Sequence, residues 1–566
     1  MRRSVLVAIV VVVIVVIAGT LTAFYLGLFA APRAPYQLQL WYNNDGHYGD
    51  TEDELATVLK SSIEACGRVL VTLRSDPWAV YRQNWAAGTM PLFLLGWYPD
   101  YFDSDDYISP FLSISGARAL GSRYNNSQVD QWITDEQTTS DPAVRMARFT
   151  SIQEKLAEDA PYIPLFSGNA HVAYVAGIQN VNLHPVSFKW FIMDKPGATT
   201  LTGATTDKII SLDPASAYDY FSIEVINQVF DTLLVYEPVQ SKIMPGLATE
   251  IPTVANGGIT NGGRTYTYHL KPGVTFHDGT PLNSSVVKRS IDRVIRLDLP
   301  ASAAFLLYDV GALGRDPTNG NNTAVGTIET PDPLTVVFNL ARPVSFFNDL
   351  MAFSVSAPVP WDYSQTGEQP STVGSVIGTG PYRMTQHIEN QLVVFDRFAN
   401  YHSPDLYQSF GINTIPVEDQ VTVNIRTTAA ALKNDIETKQ VDVVYRTLTP
   451  TDLTDLQSRA STLGITVTVG ASPQIRYLVF QTETITDVRI RQAIAYSVDR
   501  AAIDNVVFNG QVVPLYSMLP PEMPYHSPVF QTKYGAVPNC AQANALLSAA
   551  GFFVGLGARE LIARDT

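Results

Sequence analysis

A strand, a helix and a second strand follow one another near the start of the chain's polar body, and that order restricts the folds open to it. The segment YQLQLWYNND (residues 36–45) alternates apolar and polar side chains, as a half-buried strand does. In the next stretch Leu55, Leu59, Ile63 and Cys66 fall on one face of a helix that Gly67 ends. RVLVTL (residues 68–73) reads as a strand again. A strand-helix-strand unit of this kind buries its apolar faces in an α/β layer. The pattern continues. MPLFLLGWYPDYFDSDDYISPF (residues 90–111) is a buried strand running into an acidic, aromatic loop. DPAVRMARFTSIQEKLAEDAPYIPLF (residues 141–166) is an amphipathic helix closed by Pro161, followed by a strand. Further strand, hairpin and helix patterns run from about Thr199, and a helix capped by Asp487 is expected to stop at Gly510.

Ahead of this body, residues 5–31 are apolar and uncharged, with Arg2 and Arg3 before them. A run of that length suits a membrane-spanning helix, and the leading arginines place the rest of the chain outside. Residues 1–36 are therefore expected to be an anchor or signal segment and spacer, and the body to be exported. At 566 residues the chain is too long for one ordinary domain. Its formal net charge of −15 argues against nucleic acid, because no basic patch is available to neutralise phosphates. Cys66 and Cys540 show no metal-ligand spacing, and the sequence leaves open whether they pair. No GxSxG, HExxH or Walker pattern occurs, so neither an enzyme nor a cofactor or metal is expected.

Several blocks then resemble one family. These are LDPA (212–215), PGLATE (245–250), RTYTYHLKPGVTFHDGTPLNSSVV (264–287), IGTGPYRM (377–384), DVRIRQAIAYSVDRAAI (487–503), ANALLSAAGF (543–552) and GWYPDYFDSDDYISPF (96–111). Together they resemble the family 5 solute-binding proteins, the dipeptide/oligopeptide/nickel-binding type that serves ABC importers. Their order is unusual. The GWYPDY block closes the chain in that family but opens it here, at residues 37–195, and the family's opening blocks follow from about Thr199. Each block occurs once, which reads as a single circular permutation with its fusion at residues 194–199. Where the family usually has Asp before Val286 this chain has Ser285, expected to cap a helix in its place.

The resemblance implies an α/β, bilobal, periplasmic-binding-protein-like fold with an inserted subdomain. One lobe would hold residues 37–172 and 477–566, the other residues 173–476. The body would be a monomer that captures a small peptide between its lobes and delivers it to permease subunits in the membrane. An oligosaccharide- or nickel-binding relative, or an orphan sensor, is the alternative. Asp100 matches the family carboxylate that pairs with a peptide's amino terminus, whereas Asp103, Asp105 and Asp106 read as solvated loop acids. Trp97, Tyr98 and Tyr101 flank Asp100 and either line the cleft or belong to the core. Tyr218, Asp219 and Tyr220 follow the LDPA block, where the other lobe of such proteins meets ligand. A glycosidase pair of Asp100 with Asp105 is the enzyme alternative.

Overall fold

The computed structural model describes residues 34–552, apart from residues 46, 50, 185–187, 239–241, 301, 315–325 and 415. The apolar stretch at residues 5–31, read above as an anchor, lies outside the described residues. Among the described residues no helix is long and apolar enough to cross a membrane.

The expected opening unit forms. Strand Tyr36–Asn43 lies parallel to Val69–Asp76, with helix Glu52–Ala65 between them in sequence. The helix buries Leu55, Leu59 and Ile63 against them, and Gly67 takes φ 77° just beyond its end. A β-carbon is disfavoured there, which is why a glycine stops the helix. Helix Pro142–Asp159 starts on the Asp141 cap and hands over through Ala160 to strand Tyr162–Val175.

That strand and Ile465–Phe480 organise the molecule. They pair antiparallel from Ile465↔Val175 to Val479↔Tyr162, and the register shifts between Ala471 and Ile475. On one side of the shift the sheet continues through Leu92–Trp97, Tyr36–Asn43 and Val69–Asp76. On the other it continues through Val443–Tyr445, Thr200–Thr205, Gln420–Ile425, Leu392–Arg397 and Tyr382–Ile388. The first flank has its own apolar core, drawn from residues 38–166 and 475–547, the two ends of the described chain. A second core surrounds the sheet of Ile259–Thr260, Thr265–His269, Thr327–Asp332 and Thr335–Asn339, packed by helix Ser284–Leu297. Two more cores flank the other half of the large sheet.

Both cysteines are bonded. Cys66 and Cys540 form a disulfide with Cα atoms 4.9 Å apart, tying the opening helix to the last one, Cys540–Ala549. Close by, the rings of Tyr36 and Phe552 meet edge to face at 5.0 Å.

Two local expectations change. Asn283, not Ser285, caps helix Ser284–Leu297, accepting a hydrogen bond from the Val286 amide at 3.1 Å. The helix begun by Asp487 ends at Ser497, well short of Gly510. Val498 is extended (φ −72°, ψ 122°), and Asp499 caps a new short helix through the Ala502 amide.

Candidate functional site

The site grows out of the crossover. Trp97 ends its strand opposite Ile475, and Tyr445 ends its strand opposite Val172. The two strands run toward the crossover from opposite sides, so the loops at both carboxyl ends face each other across it. Crevices at the carboxyl ends of strands are where α/β sheets commonly hold ligands. Here a cavity of about 180 Å³ lies between the loop after Trp97 and the segment that opens helix Tyr220–Val229. Trp97, Tyr98, Pro99 and Asp100 wall it from one half. Tyr218, Asp219, Tyr220, Ile223 and Phe353 wall it from the other.

Asp100 sits at the join. It is 7% exposed, and one carboxylate oxygen, Oδ2, accepts a 2.6 Å hydrogen bond from the Tyr218 hydroxyl. Burial pushes its carboxyl up to about 7, the Tyr218 hydrogen bond pulling weakly the other way. The Asp106 carboxylate lies underneath, accepting from the Asp100 amide (3.1 Å) and the Trp97 indole N–H (3.0 Å). Burial, and then the charge of Asp100, raises Asp106 well above the usual carboxylate range. Two carboxyls this close do not both ionise readily, so the pair resists full ionisation. Of the two, Asp100 is the one that lines the cavity.

The loop acids are not solvated, contrary to expectation. Asp105 is fully buried and Asp106 is 1% exposed. Asp105 accepts from the Tyr101 hydroxyl (2.7 Å) and the Gln137 amide (3.0 Å). Asp103 forms a two-pronged ion pair with Arg145 at 2.8 and 2.6 Å, and Arg145 also holds Glu136. The compact 3₁₀ turn at Ser104–Tyr107 draws these side chains inward, which a count of acids in a loop does not reveal. Asp105 is turned to Tyr101 and Gln137 and is absent from the cavity wall, so no Asp100–Asp105 glycosidase pair spans the cavity.

Six of the seven expected ligand-binding side chains line the cavity: Trp97, Tyr98, Asp100, Tyr218, Asp219 and Tyr220. Tyr101 does not. It is 2% exposed and stacks on Phe346 at 4.8 Å within the second core. It thus anchors one half of the molecule in the other. Asp219 caps helix Tyr220–Val229 through the Ser222 amide, and this fixes the wall's backbone. Burial raises its carboxyl, and the hydrogen bonds from Ser222 partly offset this.

Sequence reasoning passed over Phe353, Tyr445 and Arg446. The Tyr445 and Tyr220 hydroxyls are hydrogen-bonded to each other. The Arg446 guanidinium covers the Tyr220 ring at 3.8 Å and pairs with Asp207 at 2.7 Å. A Tyr-Arg pair ending an apolar strand was the available signal for two of them. Phe353 carries no sequence mark.

The glycines of IGTGPYRM bring that loop close against the end of helix Tyr220–Val229. A β-carbon at Gly378 would stand 2.1 Å from the Val229 carbonyl oxygen, so only glycine fits against that helix end.

Residues 242–560 match the family profile described as bacterial extracellular solute-binding proteins, family 5 middle. The chain belongs to that family. It is 26% identical over 360 residues to the glutathione-binding protein GsiB of Escherichia coli strain K12, covering 62% of this chain and 61% of that protein. It is 28% identical over 351 residues to GsiB of Pectobacterium atrosepticum, covering 60% and 59%. The chain thus spans about three-fifths of the length of these curated relatives. Among solved structures, the ABC transporter substrate binding protein CtaP from Listeria monocytogenes aligns with a TM-score of 0.48 at 20% identity, over 63% of this chain and 66% of that one.

Proposed function

We propose that this protein is the extracytoplasmic capture component of an ABC importer and not an enzyme. It takes the amino end of a short peptide between two closing lobes and delivers it to a membrane permease. One observation carries the reading: the cavity is walled by loops from both halves, and a buried carboxylate, Asp100, stands where they meet. A buried anion needs a counter-charge, because leaving it unpaired is costly. A ligand ammonium supplies one only when the halves are closed, so binding favours closure. The curated relatives named for glutathione binding support a peptide-like ligand.

The lobes in this reading are residues 37–172 with 477–566, and residues 173–476, hinged on the two crossing strands. Residues 5–31 tether the body to the membrane. The permuted order belongs to the same reading, and two contacts support it. The rings of Tyr36 and Phe552 touch, so the broken ends lie side by side. The fusion is a single tight turn, Lys195-Pro196-Gly197-Ala198. The Ala198 amide donates to the Lys195 carbonyl at 3.0 Å and Gly197 takes φ 82°, the demand of a type II turn.

Native mass spectrometry of residues 34–566, purified without refolding, tests the function. A co-purified set of short peptides is the expected result. A discrete sugar mass, or an empty protein that no peptide stabilises against heat, would overturn it.

A further inference from the structure

A second, smaller cavity of about 40 Å³ has its wall drawn from residues 189–407. Of the residues that line the larger cavity it shares only Phe353. It lies where two apolar cores meet. Ala352 and Phe353 belong to the core around helix Ser284–Leu297, Phe191 and Phe230 to a core of the large sheet.

This cavity holds a buried cation with nothing to pair with. Lys189 lines it and is 8% exposed, and among the described residues its ammonium makes neither a hydrogen bond nor an ion pair. Burial pulls the ammonium down to about 8, the charge of Asp231 opposing this, so at neutral pH it is still mostly protonated. Asp231 is the one acid among the described wall residues, and both its oxygens are engaged elsewhere. Oδ1 accepts from the Tyr401 hydroxyl at 3.2 Å, and Oδ2 from the His402 ring at 2.8 Å and the Thr379 hydroxyl at 3.3 Å. Two further polar side chains of the wall lack partners. The Ser354 hydroxyl is buried without a hydrogen bond, and the half-buried Asn227 amide group makes none among the described residues.

An uncompensated buried ammonium is costly, and orphaned polar groups in a native interior call for an ordered water or ion. Water satisfies donors but brings no charge. An anion does both, accepting from the ammonium, the amide and the hydroxyl together. Size narrows the choice. A water needs about 10–15 Å³ on this measure, so the cavity has room for about three such atoms. Chloride or formate fits, and the five heavy atoms of sulfate or phosphate do not.

We propose that this cavity binds one small monovalent anion, of the chloride or formate kind, held by Lys189 with Asn227 and Ser354. The anion ties the segment of Lys189 and Phe191 to helix Tyr220–Val229, which carries Asn227, and to the turn at Ser354. It therefore stabilises the folded state, whatever the cleft between the halves binds.

The test is melting of the whole protein at neutral pH and fixed ionic strength. Sodium gluconate, whose anion is too large for the cavity, is exchanged for sodium chloride or sodium formate. The melting temperature should rise along a saturating curve with either small anion. Lys189→Met, similar in volume and uncharged, should weaken the apparent chloride affinity by about a hundredfold or more, as loss of one partner of a buried pair does. Asn227→Leu, at a half-buried position, should weaken it less. A crystal grown in sodium bromide should show an anomalous peak beside Lys189 Nζ. If Lys189→Met responds to chloride as the parent does, the effect is a general one of salt or of an adventitious ion elsewhere, and the proposal falls. It falls equally if neither anion moves the melting temperature, because the cavity then holds water only. Should Lys189→Met fail to fold, the bromide crystal decides alone, and the absence of a peak overturns the site.

Discussion

The Asp100 carboxylate and the Tyr218 hydroxyl, 118 residues apart in sequence, meet at 2.6 Å across the gap between the two halves of the molecule. The bond joins the loop after one sheet flank to the loop before helix Tyr220–Val229, so it exists only while the halves are together. Nearby, the Phe102 amide donates to the Tyr236 hydroxyl at 3.1 Å, and the Ser345 amide to the Gln137 carbonyl at 2.8 Å. The two walls of the cavity are thus held together in this structure, with Asp100 as one of the fastenings; under the proposed function it is also the charge that meets ligand.

Removing that charge should abolish the cavity's counter-ion. Asp100→Ala is expected to cost about 3–5 kcal/mol of binding for a cationic ligand, the penalty for breaking a buried pair. Titration calorimetry measures it directly, and an unchanged affinity would remove Asp100 from the site.

Tyr218→Phe keeps the ring in the wall and deletes the hydroxyl. A hydrogen bond to a charged group contributes about 1.5–3 kcal/mol. Because this one also stabilises the ionised form of Asp100, its loss should raise that carboxyl further. The expected result is weaker binding, with the pH at which affinity reaches half its maximum displaced upward. A uniform loss at every pH would mean the hydroxyl only fills space.

Affinity and stability should respond to pH in opposite senses. Asp100 has a folded value of about 7 against an ordinary 3.8, so the folded protein holds this proton more tightly than the unfolded chain does. Its contribution to stability is complete below 3.8 and is lost as pH rises through about 7. A cationic ligand needs the carboxylate, so its affinity should climb over the same interval and level off above it. Melting curves with and without ligand check both trends, and the gap between them should widen as pH rises from about 5 to about 8.

Much of this was legible in the chain, and the failures share a cause. Leu55, Leu59 and Ile63 announced a buried helix face because spacing along one helix is local information. The cap at Asp487 was legible for the same reason. Asp100 was reached through a motif, and it lines the cavity. Asp103, Asp105 and Asp106 were misread because what buries them is remote in sequence: Arg145, Gln137 and the second core. Tyr101 was ambiguous for the same reason, since its stacking partner Phe346 belongs to the other half. The disulfide joins residues separated by 474 positions, which no local pattern reports.

That disulfide predicts a stability effect without a binding effect. Closing so long a loop restricts the unfolded chain and stabilises the fold by up to about 5 kcal/mol. The paired variant Cys66→Ser with Cys540→Ser should melt at a lower temperature. Its ligand affinity, measured well below that melting point, should match the parent, because neither cysteine lines the cavity.

A second structural prediction concerns the LDPA block. Asp213 and Arg293 form a buried two-pronged ion pair at 2.8 and 2.6 Å, and Asp213 also accepts from the Gln369 amide at 2.7 Å. The motif's acid therefore fixes helix Ser284–Leu297 to the loop and does not line the cavity. Arg293→Met strands a buried carboxylate and should destabilise the protein by about 3–5 kcal/mol, as read from denaturant unfolding.

The core built from both ends of the chain also dictates an order of assembly. As the chain emerges amino end first, residues 36–97 lay down three paired strands, of which Leu92–Trp97 still lacks its other neighbour, Ile465–Phe480. Contacts of such long sequence separation form late and slowly, and unpaired strands invite association in the meantime. The middle of the chain, which holds the second core almost entirely, can condense first. It then serves as the template on which the early strands are completed once the last helix arrives. The polypeptide is thus synthesised from one edge to the other but is expected to fold from the inside outward.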